Sequence, residues 1–461
     1  MRYYLLIDFG STYTKLTAVD KEKGDIIATA SSFTTVATDI TVGYRKALAK
    51  LYQKIGKEIE FYRKIACSSA AGGLKMAAIG LVEELTVEAA KRVCLGAGAK
   101  VDLVFSHYCT AKELRAIIDK KIDIVLLAGG TDGGNSDCVL HNAKVLGEIG
   151  VKIPVIYAGN KSCQDEIEEI FRKYQIDGYI CENVMPRLNV LNPHSAKEKI
   201  KEIFLKRIIL AKGIKKIETE IDKVVQPTPD AVLQASELLS KGYLDEPGLG
   251  EIVLLDIGGA TTDVYSMSPP NTTKSNVIVK GLEEPFAKRT VEGDLGMRYS
   301  AMGILSVLSK EEQERINRTF GIDIAKECEY HHEHVEDLPK TEKEDEIEKI
   351  LAGVCADKAM ERHCGKMEEV YTPLGMMYYQ TGKDLSEIKY IIGTGAVVIN
   401  SADPGYILSK MTNHEFNRME LRPLHPEYLI DQDYILAAMG LLSQEDPLLA
   451  LQIMKKRMRK I

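Results

Sequence analysis

The sequence contains no Cys-x-x-Cys pair, although nine cysteines are scattered singly along its 461 residues. Disulfide frameworks use an even set of cysteines, and zinc and iron–sulfur sites use closely spaced ones. An odd number of isolated cysteines therefore argues against all three. We expect the protein to work in a reducing compartment.

The sequence also lacks a long basic stripe and a long uncharged run. Its 60 Lys and Arg against 67 Asp and Glu give a net charge of -7, and the one short basic cluster is the C-terminal KKRMRKI. This balance argues against a nucleic-acid partner. No uncharged run reaches the roughly 18 residues that cross a bilayer, and the first predicted strand leaves no space for a signal peptide. We expect a cytoplasmic protein with no membrane partner.

The stretch LLIDFGSTYTK at 5–15 is an apolar strand that ends in a polar turn. We predict a hairpin there, in which a glycine lets the backbone approach a ligand and successive N–H groups form an anion site. Asp8, at the strand end, is placed to hold hydrated Mg²⁺, which prefers carboxylate and water ligands. A turn of this kind is also common as plain structure. The phosphate-binding candidates are Gly10, Ser11, Thr12 and Lys15.

A second turn of the same type occurs in EIVLLDIGGATTDVYSM at 251–267. The repeat indicates two similar lobes that each offer a loop to one polyphosphate. Neither turn is a Walker A loop, because the sequence has no GxxxxGK[ST] and each turn leads into a strand. The candidates here are Asp256, Gly258, Gly259, Thr261, Thr262 and Asp263.

The third element is KYIIGTGAVVINSADP at 389–404, where a predicted strand ends in Gly393, Thr394 and Gly395 before a helix. Its close-packed backbone can admit a flat adenine ring, although a plain glycine turn explains the same residues. The order DxGST, DIGGATTD and GTGA resembles the actin, sugar-kinase and heat-shock-chaperone ATPase superfamily from end to end. The resemblance implies an α/β actin-like ATPase fold of two RNase H-like lobes, with ATP or ADP and Mg²⁺ as ligands.

Two stretches resemble the connecting helices of that superfamily. QPTPDAVLQASELLSKG at 226–242 has a proline-rich start and small residues that allow close helix packing, and DQDYILAAMGLL at 431–442 has a similar set. Small-residue faces also occur in ordinary cores. Their places in the motif order favour two helices that pack where the lobes meet.

Four stretches resemble one branch of the superfamily, the glutamate mutase accessory family of GlmL or MutL type. They are YLLIDFGSTYTKLTAVD at 4–20, SSAAGGLKMAAIGLVEELTVEAAKRVCLGAGAKV at 68–101, LLAGGTDGGN at 126–135 and TVEGDLGMR at 290–298. The resemblance implies subunits of an adenosylcobalamin-dependent mutase or aminomutase as partners. It also implies a role as a reactivating chaperone, similar in plan to the diol dehydratase reactivases. Comparable superfamily positions place Gly293, before a predicted helix, near the nucleotide.

The long interval before the first connecting helix predicts an inserted domain. Strand-like segments between 103 and 186 alternate with helix-like ones, a pattern typical of an α/β layer. We predict the first part of lobe one at 1–60, an inserted α/β domain at 61–225, its connecting helix at 226–245 and lobe two at 246–461. The reactivase resemblance implies that this inserted domain swivels and imitates an enzyme subunit.

Two further clusters invite a functional interpretation. The Gly129–Gly134 loop is either a ligand or partner contact or a structural turn, and the turn is favoured. His331, His332 and His334 lack a spaced acidic ligand, so we predict a solvated loop or helix end and no metal site.

The sequence therefore favours a Mg²⁺-dependent ATPase that reactivates a cobalamin mutase. Asp8 and Asp256 would position Mg²⁺ and the attacking water, and Asp263 would support the loop or assist the water. A small-molecule kinase of the same fold is the alternative. An activator of 2-hydroxyacyl-CoA dehydratases would need a cysteine pattern that Cys355 and Cys364 do not supply. A non-enzymatic binding module, a homodimer and the identity of the mutase stay open.

Overall fold

The computed structural model describes residues 2–10, 12–34, 40–69, 74–211, 220–270, 276–373, 375–414 and 419–461. Its strands and helices form two lobes and an inserted unit. Within those ranges, no helix has both the length and the apolar character that crossing a membrane requires.

The first lobe starts as an antiparallel meander, in which apolar residues alternate into a buried sheet face and one helix covers that face. A further strand then returns parallel to the first. These elements are β1 (Tyr3–Phe9), β2 (Tyr13–Asp20), β3 (Asp25–Phe33), α1 (Ile40–Ile55) and β4 (Arg63–Ser68).

The inserted unit follows as an alternation of strands and helices, as its sequence pattern predicts. Its five strands are all parallel and lie in the order β6-β5-β7-β8-β9. The strands are β5 (Lys75–Gly80), β6 (Lys100–Ser106), β7 (Ile124–Leu127), β8 (Val155–Tyr157) and β9 (Gly178–Ile180). The helices are α2 (Glu88–Gly96), α3 (Ala111–Leu114), α4 (Ala116–Asp119), α5 (Asp137–Glu148), α6 (Gln164–Tyr174) and α7 (His194–Ala211), with a π-helical turn at Glu83–Val87 and a 3₁₀ turn at Lys161–Cys163.

The remaining elements complete the first lobe and build the second. The strands are β10 (Lys223–Pro227), β11 (Gly242–Tyr243), β12 (Glu246–Pro247), β13 (Ile252–Ile257), β14 (Thr262–Met267), β15 (Val277–Lys280), β16 (Ala287–Glu292), β17 (Lys366–Thr372), β18 (Gly375–Thr381), β19 (Tyr390–Thr394), β20 (Glu427–Asp431) and β21 (Met458–Lys460). The helices are α8 (Thr228–Lys241), α9 (Ala301–Val307), α10 (Lys310–Phe320), α11 (Ile324–Glu333), α12 (Glu342–His363), α13 (Ala396–Asn400), α14 (Pro404–Ser409), α15 (Leu436–Leu442) and α16 (Pro447–Arg457).

The two lobes repeat one sheet topology. The first sheet has the order β10-β4-β1-β2-β3, and the second has β16-β14-β13-β19-β20-β21. In each, three antiparallel strands are followed by two parallel ones, so the five strands of the first sheet correspond to all strands of the second except its edge strand β21. This repeat is the RNase H-like arrangement, and the predicted actin-like fold is confirmed.

The sheet order changes where the inserted unit begins and ends. The predicted domain at 61–225 includes β4 and most of β10, yet both strands pair within the first-lobe sheet. The inserted unit therefore lies between these two strands. Their pairing brings together segments far apart in the chain, which is why local patterning does not reveal it.

A continuous hydrophobic core joins the first lobe to the inserted unit. It runs from β1 and α1 through α2 and α7 to the inserted sheet, with Leu5, Val93, Ile203 and Ile156 among its buried members. A second core cluster joins the first-lobe sheet to the second-lobe sheet through α8 and α15, so apolar burial, at about 25 cal/mol per Å², holds each unit to the next.

The connecting helices pack against each other, as their small residues predict. A Cβ built on Gly440 would lie 1.9 Å from the carbonyl oxygen of Ala231, so the α15 and α8 backbones approach too closely for any side chain there. α15 begins at Leu436 and not at 431, because β20 continues to Asp431. The Asp431 carboxylate then accepts hydrogen bonds from the N–H groups of Ile435 and Leu436.

Candidate functional site

A cleft of about 990 Å³ opens between the two lobes. Its walls come from both predicted hairpins, from the starts of α8 and α15, from α13 and from a turn of the inserted unit. A cleft between two lobes is a common place for a ligand, because closure of the lobes can enclose it.

The two hairpin turns are built in the same way. The N–H of Gly10 donates to the carbonyl of Tyr13 at 3.1 Å, and the N–H of Gly258 donates to the carbonyl of Thr261 at 2.9 Å. A Cβ on Gly10 would lie only 2.6 Å from the Tyr13 oxygen, which explains the glycine. Both turns therefore have bare backbone at the cleft, meaning main-chain groups that no side chain covers, because glycines line it there.

In the first hairpin, Asp8 is the cross-strand partner of Lys15, and its Oδ2 lies 3.6 Å from the lysine Nζ. Its other oxygen accepts a 2.7 Å hydrogen bond from the hydroxyl of Thr228, at the start of α8. The Lys15 ammonium also lies 3.3 Å from the centroid of the Tyr434 ring. Burial favours the neutral amine, but Tyr434 and Asp8 outweigh it and raise the pKa of Lys15.

In the second hairpin, the cross-strand pair consists of two carboxylates, Asp256 and Asp263. Burial, and then the charge of Asp263, raises the pKa of Asp256 to about 7. Asp263 accepts a hydrogen bond at 2.8 Å from the Nε of Arg289, whose Nη2 lies 2.6 Å away as an ion pair, and one at 3.1 Å from the Thr261 hydroxyl. Arg289 thus neutralises one of the two facing acids and fixes its orientation.

A further part of the cleft wall is formed by the predicted adenosine element. Gly395 has φ +93°, and a Cβ there would lie 2.4 Å from the Ile257 carbonyl and 3.0 Å from Asp256 Oδ1. The turn therefore touches the second hairpin directly. Beyond it, Val397 and Asn400 of α13 and Leu338 line a wall that can face a planar base.

Most of the predicted site residues share this cleft. Ser11 lies outside the described residues. The predicted residues that line the cleft are Asp8, Gly10, Thr12, Lys15, Asp256, Gly258, Gly259, Thr261, Asp263 and Thr394.

Four predicted nucleotide-binding residues lie outside the cleft lining. Thr262 is buried on the opposite face of β14, because strand residues alternate, and its hydroxyl donates to Leu295. Gly393 packs against the side chains of Val398 and Leu408. Gly395 packs against the carboxylate of Asp256. Gly293 lies beside the Lys100 side chain, where a Cβ would be 1.9 Å from its Cε.

Several lining residues escaped the sequence prediction. Thr228 belongs to the predicted QPTPD helix start. A hydroxyl residue between two prolines at a helix start is a sequence signal that could have identified it. Tyr434 has a positive φ of 55°, an uncommon conformation for a tyrosine. Arg289 and Lys100 carry no local signal, because their place in the cleft depends on contacts between distant segments.

The histidine cluster differs in part from its prediction. His332 and His334 are exposed at the end of α11, as expected. His331 is buried, and its Nε2 lies 3.6 Å from Glu348 Oε1, to which Arg298 also donates at 2.5 Å. The cluster therefore contributes to a buried ion pair in the cleft wall.

The Gly129–Gly134 loop is a turn closed by side chains of the inserted unit. Gly129 and Gly130 have φ of 146° and 72°, values suited to glycine. Asn160 accepts from the N–H of Gly133 and donates to the Gly134 carbonyl, and Asn183 donates to the Gly130 carbonyl. Backbone polar groups of the loop thus form hydrogen bonds with side chains of the inserted unit itself.

The carboxylates suit one kind of metal. Across the described part of the chain, no three His, Cys, Asp or Glu side chains gather as a metal site. Mg²⁺ bound with a nucleotide needs only one or two protein carboxylates, because phosphate oxygens and water complete its shell. Asp8 and Asp256, which both line the cleft, fit that requirement.

The chain is similar to known proteins over almost its whole length. The model of the MutL protein family matches residues 4–458. The chain belongs to the MutL protein family. Protein MutL of Clostridium tetanomorphum is 51% identical over 462 residues, covering 100% of both chains. The family resemblance of the sequence motifs is thereby confirmed for this MutL-family chain.

Solved structures of low identity also align with this MutL-family chain. The ethanolamine utilization protein EutJ from Carboxydothermus hydrogenoformans is 10% identical, with a TM-score of 0.29 and coverage of 97% of this chain and 90% of that one. Gluconate kinase from Lactobacillus acidophilus is 11% identical, with a TM-score of 0.36 and coverage of 100% and 92%.

Proposed function

We propose that this MutL-family protein binds and hydrolyses Mg-ATP and uses the nucleotide state to reactivate an adenosylcobalamin-dependent mutase, glutamate mutase or an aminomutase. The observation that carries the proposal is the placement of Asp8 and Asp256. They occupy equivalent strand ends in the two repeated lobes and line one cleft.

Each side chain has a role that follows from its position. Asp8 and Asp256 would hold the metal ion, which neutralises phosphate charge when bound. The bare turns at Gly10 and Gly258, with Thr12, Thr261 and Lys15, would donate to phosphate oxygens. Phosphoryl transfer depends mainly on such positioning and charge neutralisation. Asp263, oriented by Arg289, would align the attacking water.

The link to a mutase rests on family membership. A nucleotide can shift a partner only if the partner binds one nucleotide state more tightly than the other. Contacts to the terminal phosphate from both hairpins would exist in the triphosphate state alone, so they would close the lobes selectively. Opening and closing of the lobes would then supply the work of releasing damaged cobalamin.

The first experiment tests the chemistry. The purified protein with Mg-ATP should release phosphate without an added acceptor, and the Asp256→Asn variant should release little. Sugars, polyols and carboxylic acids are then added one at a time. A strong rise in ADP production with one of them, and a phosphorylated product found by mass spectrometry, would replace the hydrolase with a small-molecule kinase.

The second experiment tests the partner. Inactivated mutase, fresh adenosylcobalamin and Mg-ATP are mixed with the protein, and mutase turnover is followed. Recovery should require ATP and should fail with Asp256→Asn. Absence of recovery, together with absence of a nucleotide-dependent complex in a pull-down, would leave the cleft chemistry standing and remove the reactivating role.

A further inference from the structure

One turn of the inserted unit reaches the cleft. It spans 95–100, where α2 ends and β6 begins, and it contributes Gly98 and Lys100 to the cleft lining. No sequence motif indicated this, since the turn belongs to neither hairpin. The inserted unit therefore forms part of the candidate nucleotide site.

The second lobe holds this turn through Arg289. Its Nη1 donates to the carbonyls of Leu95 at 3.1 Å and Ala99 at 3.0 Å, its Nε donates to Asp263, and its Nη2 lies within ion-pair distance of the same carboxylate. The Arg289 side chain is only 3% exposed, so these contacts are shielded from water. One guanidinium thus connects a cleft carboxylate to the residue that precedes Lys100.

The first lobe contacts the same turn from the other side. Gly98 has φ +84°, and a Cβ there would lie 2.8 Å from the Pro227 side chain. Pro227 precedes Thr228, whose hydroxyl donates to Asp8. The turn is therefore held between the supports of Asp8 and Asp263, two of the carboxylates that line the cleft.

Among the cations that line the described part of the cleft, Lys100 is the most exposed, and it is paired with one carboxylate. Four cations line the cleft among the described residues, and the side chains of Arg289 and Arg298 are 3% and 10% exposed within their ion pairs. Lys15 and Lys100 are 24% and 30% exposed. Lys100 Nζ lies 3.2 Å from Asp102 Oδ1, and its stem lies over Gly293, which has no side chain to obstruct it.

We propose that Lys100 contacts the terminal phosphate of a nucleoside triphosphate, and that Arg289 is its positioning residue. The inference rests on the proposed function, since it assigns a further residue to that same site. A lysine ammonium on a flexible stem suits a phosphate that is present in one nucleotide state and absent in the other. Lys100 thereby makes the inserted unit sensitive to the presence of that phosphate.

The position of the turn between the inserted unit and the second lobe explains why this contact matters. The inserted unit shares its core with the first lobe, whereas Arg289 belongs to β16 of the second lobe. Arg92 of α2 makes a second contact across the boundary, to Glu284 at 2.9 Å. A change of lobe angle therefore acts on the 95–100 turn, which lies at this boundary.

The test compares two nucleotides on the full-length protein. Affinities for Mg-ADP and for Mg²⁺ with a non-hydrolysable ATP analogue are measured by titration calorimetry for wild type, Lys100→Met and the control Lys112→Met, an exposed lysine of α3. Lys100→Met should lose about tenfold in affinity for the triphosphate, the scale of one charge-assisted hydrogen bond, and keep its ADP affinity. Lys112→Met should match wild type.

A second variant tests the positioning role. Arg289→Lys keeps a positive charge beside Asp263 but cannot donate to Asp263 and two carbonyls together. The preference of Arg289→Lys for the triphosphate over ADP should fall although Lys100 is intact. In the double variant Lys100→Met/Arg289→Lys, the Lys100 substitution should reduce that preference little further. A structural defect alone would weaken both nucleotides equally.

The outcomes separate the two proposals. If wild type binds neither nucleotide, the proposed function fails and this inference fails with it. If wild type prefers the triphosphate and Lys100→Met retains the full preference, the role of Lys100 is overturned while the nucleotide site stands. Equal loss for both nucleotides in Lys100→Met also overturns it.

Discussion

Asp256 and Asp263 face each other across the second hairpin, at the positions where the first hairpin pairs Asp8 with Lys15. Two like charges placed opposite each other are destabilising in a sheet. Here the cost is reduced because Arg289 pairs with Asp263 and the pKa of Asp256 is raised to about 7. The two hairpins thus share a backbone arrangement but differ in the charge of their facing pair. The pair in the second hairpin is the more acidic one.

Removing either equivalent acid should remove Mg²⁺-dependent nucleotide binding. A ligand at 100 times its Kd stabilises the folded state by about 2.7 kcal/mol, which raises the melting temperature. Asp8→Asn and Asp256→Asn should lose most of that rise, measured by thermal shift with Mg-ADP. Asp119→Asn, an exposed acid of α4, is the control and should behave as wild type. Equal stabilisation of all four proteins would contradict the assignment of the metal ligands.

Gly395 should prove necessary for the shape of the site. Alanine there meets an unfavourable φ and three close atoms, the carbonyl oxygen and amide nitrogen of Ile257 and Asp256 Oδ1. Gly395→Ala should therefore destabilise the protein by about 1–3 kcal/mol and weaken nucleotide binding, because Asp256 must shift. Urea unfolding and nucleotide titration measure the two effects. Gly405→Ala, whose Cβ has only a 3.5 Å neighbour, should change neither strongly.

The close packing of the connecting helices gives a third prediction. A Cβ on Gly440 overlaps the Ala231 carbonyl, so Gly440→Ala should push α15 away from α8. Overpacking of this kind costs about 1–3 kcal/mol, and the loss should appear in urea unfolding. Because these helices lie where the lobes meet, nucleotide affinity should also fall. A variant of full stability would show that the helices separate readily.

The buried pair of Glu348 and Arg298 predicts a pH dependence of stability. Burial opposes ionisation of Glu348, but His331 and Arg298 outweigh it and hold its pKa below the ordinary 4.5. A lowered pKa in the folded state stabilises the protein above pH 4.5, and this contribution is lost as pH falls through the folded-state value. Glu348→Gln should cost about 3–5 kcal/mol at pH 7, because it leaves Arg298 unpaired.

The measurement compares urea unfolding of Glu348→Gln with its parent from pH 7 to below pH 4.5. Both proteins keep His331, because its contact with Glu348 is one of the causes that lower the pKa of the carboxyl. The difference in unfolding free energy should be constant near neutral pH and should shrink below pH 4.5. A difference that grows on acidification would contradict the direction of the shift.

Much of the fold and part of the site could be predicted because their signals are local. In each strand-Asp-Gly-hydroxyl turn, the apolar strand, the acid and the glycine are neighbours in the sequence, so the turn can be recognised from a few consecutive residues. The cleft accordingly contains Asp8, Asp256 and both bare turns. Small residues in the two connecting helices likewise predicted the close contact of Gly440 with Ala231.

The tertiary structure alone decided the features that join distant segments. β4 and β10 pair side by side although the whole inserted unit separates them in the chain, so the domain limits could not be read from local pattern. Thr262 is turned from the cleft by strand alternation, and Gly293 lies against Lys100. Arg289 connects Asp263 to Leu95 and Ala99 only because folding brings β16 beside the end of α2. Nothing in the sequence around a strand arginine indicates a partner nearly two hundred residues away. Such long-range contacts depend on how the elements pack and not on residue spacing.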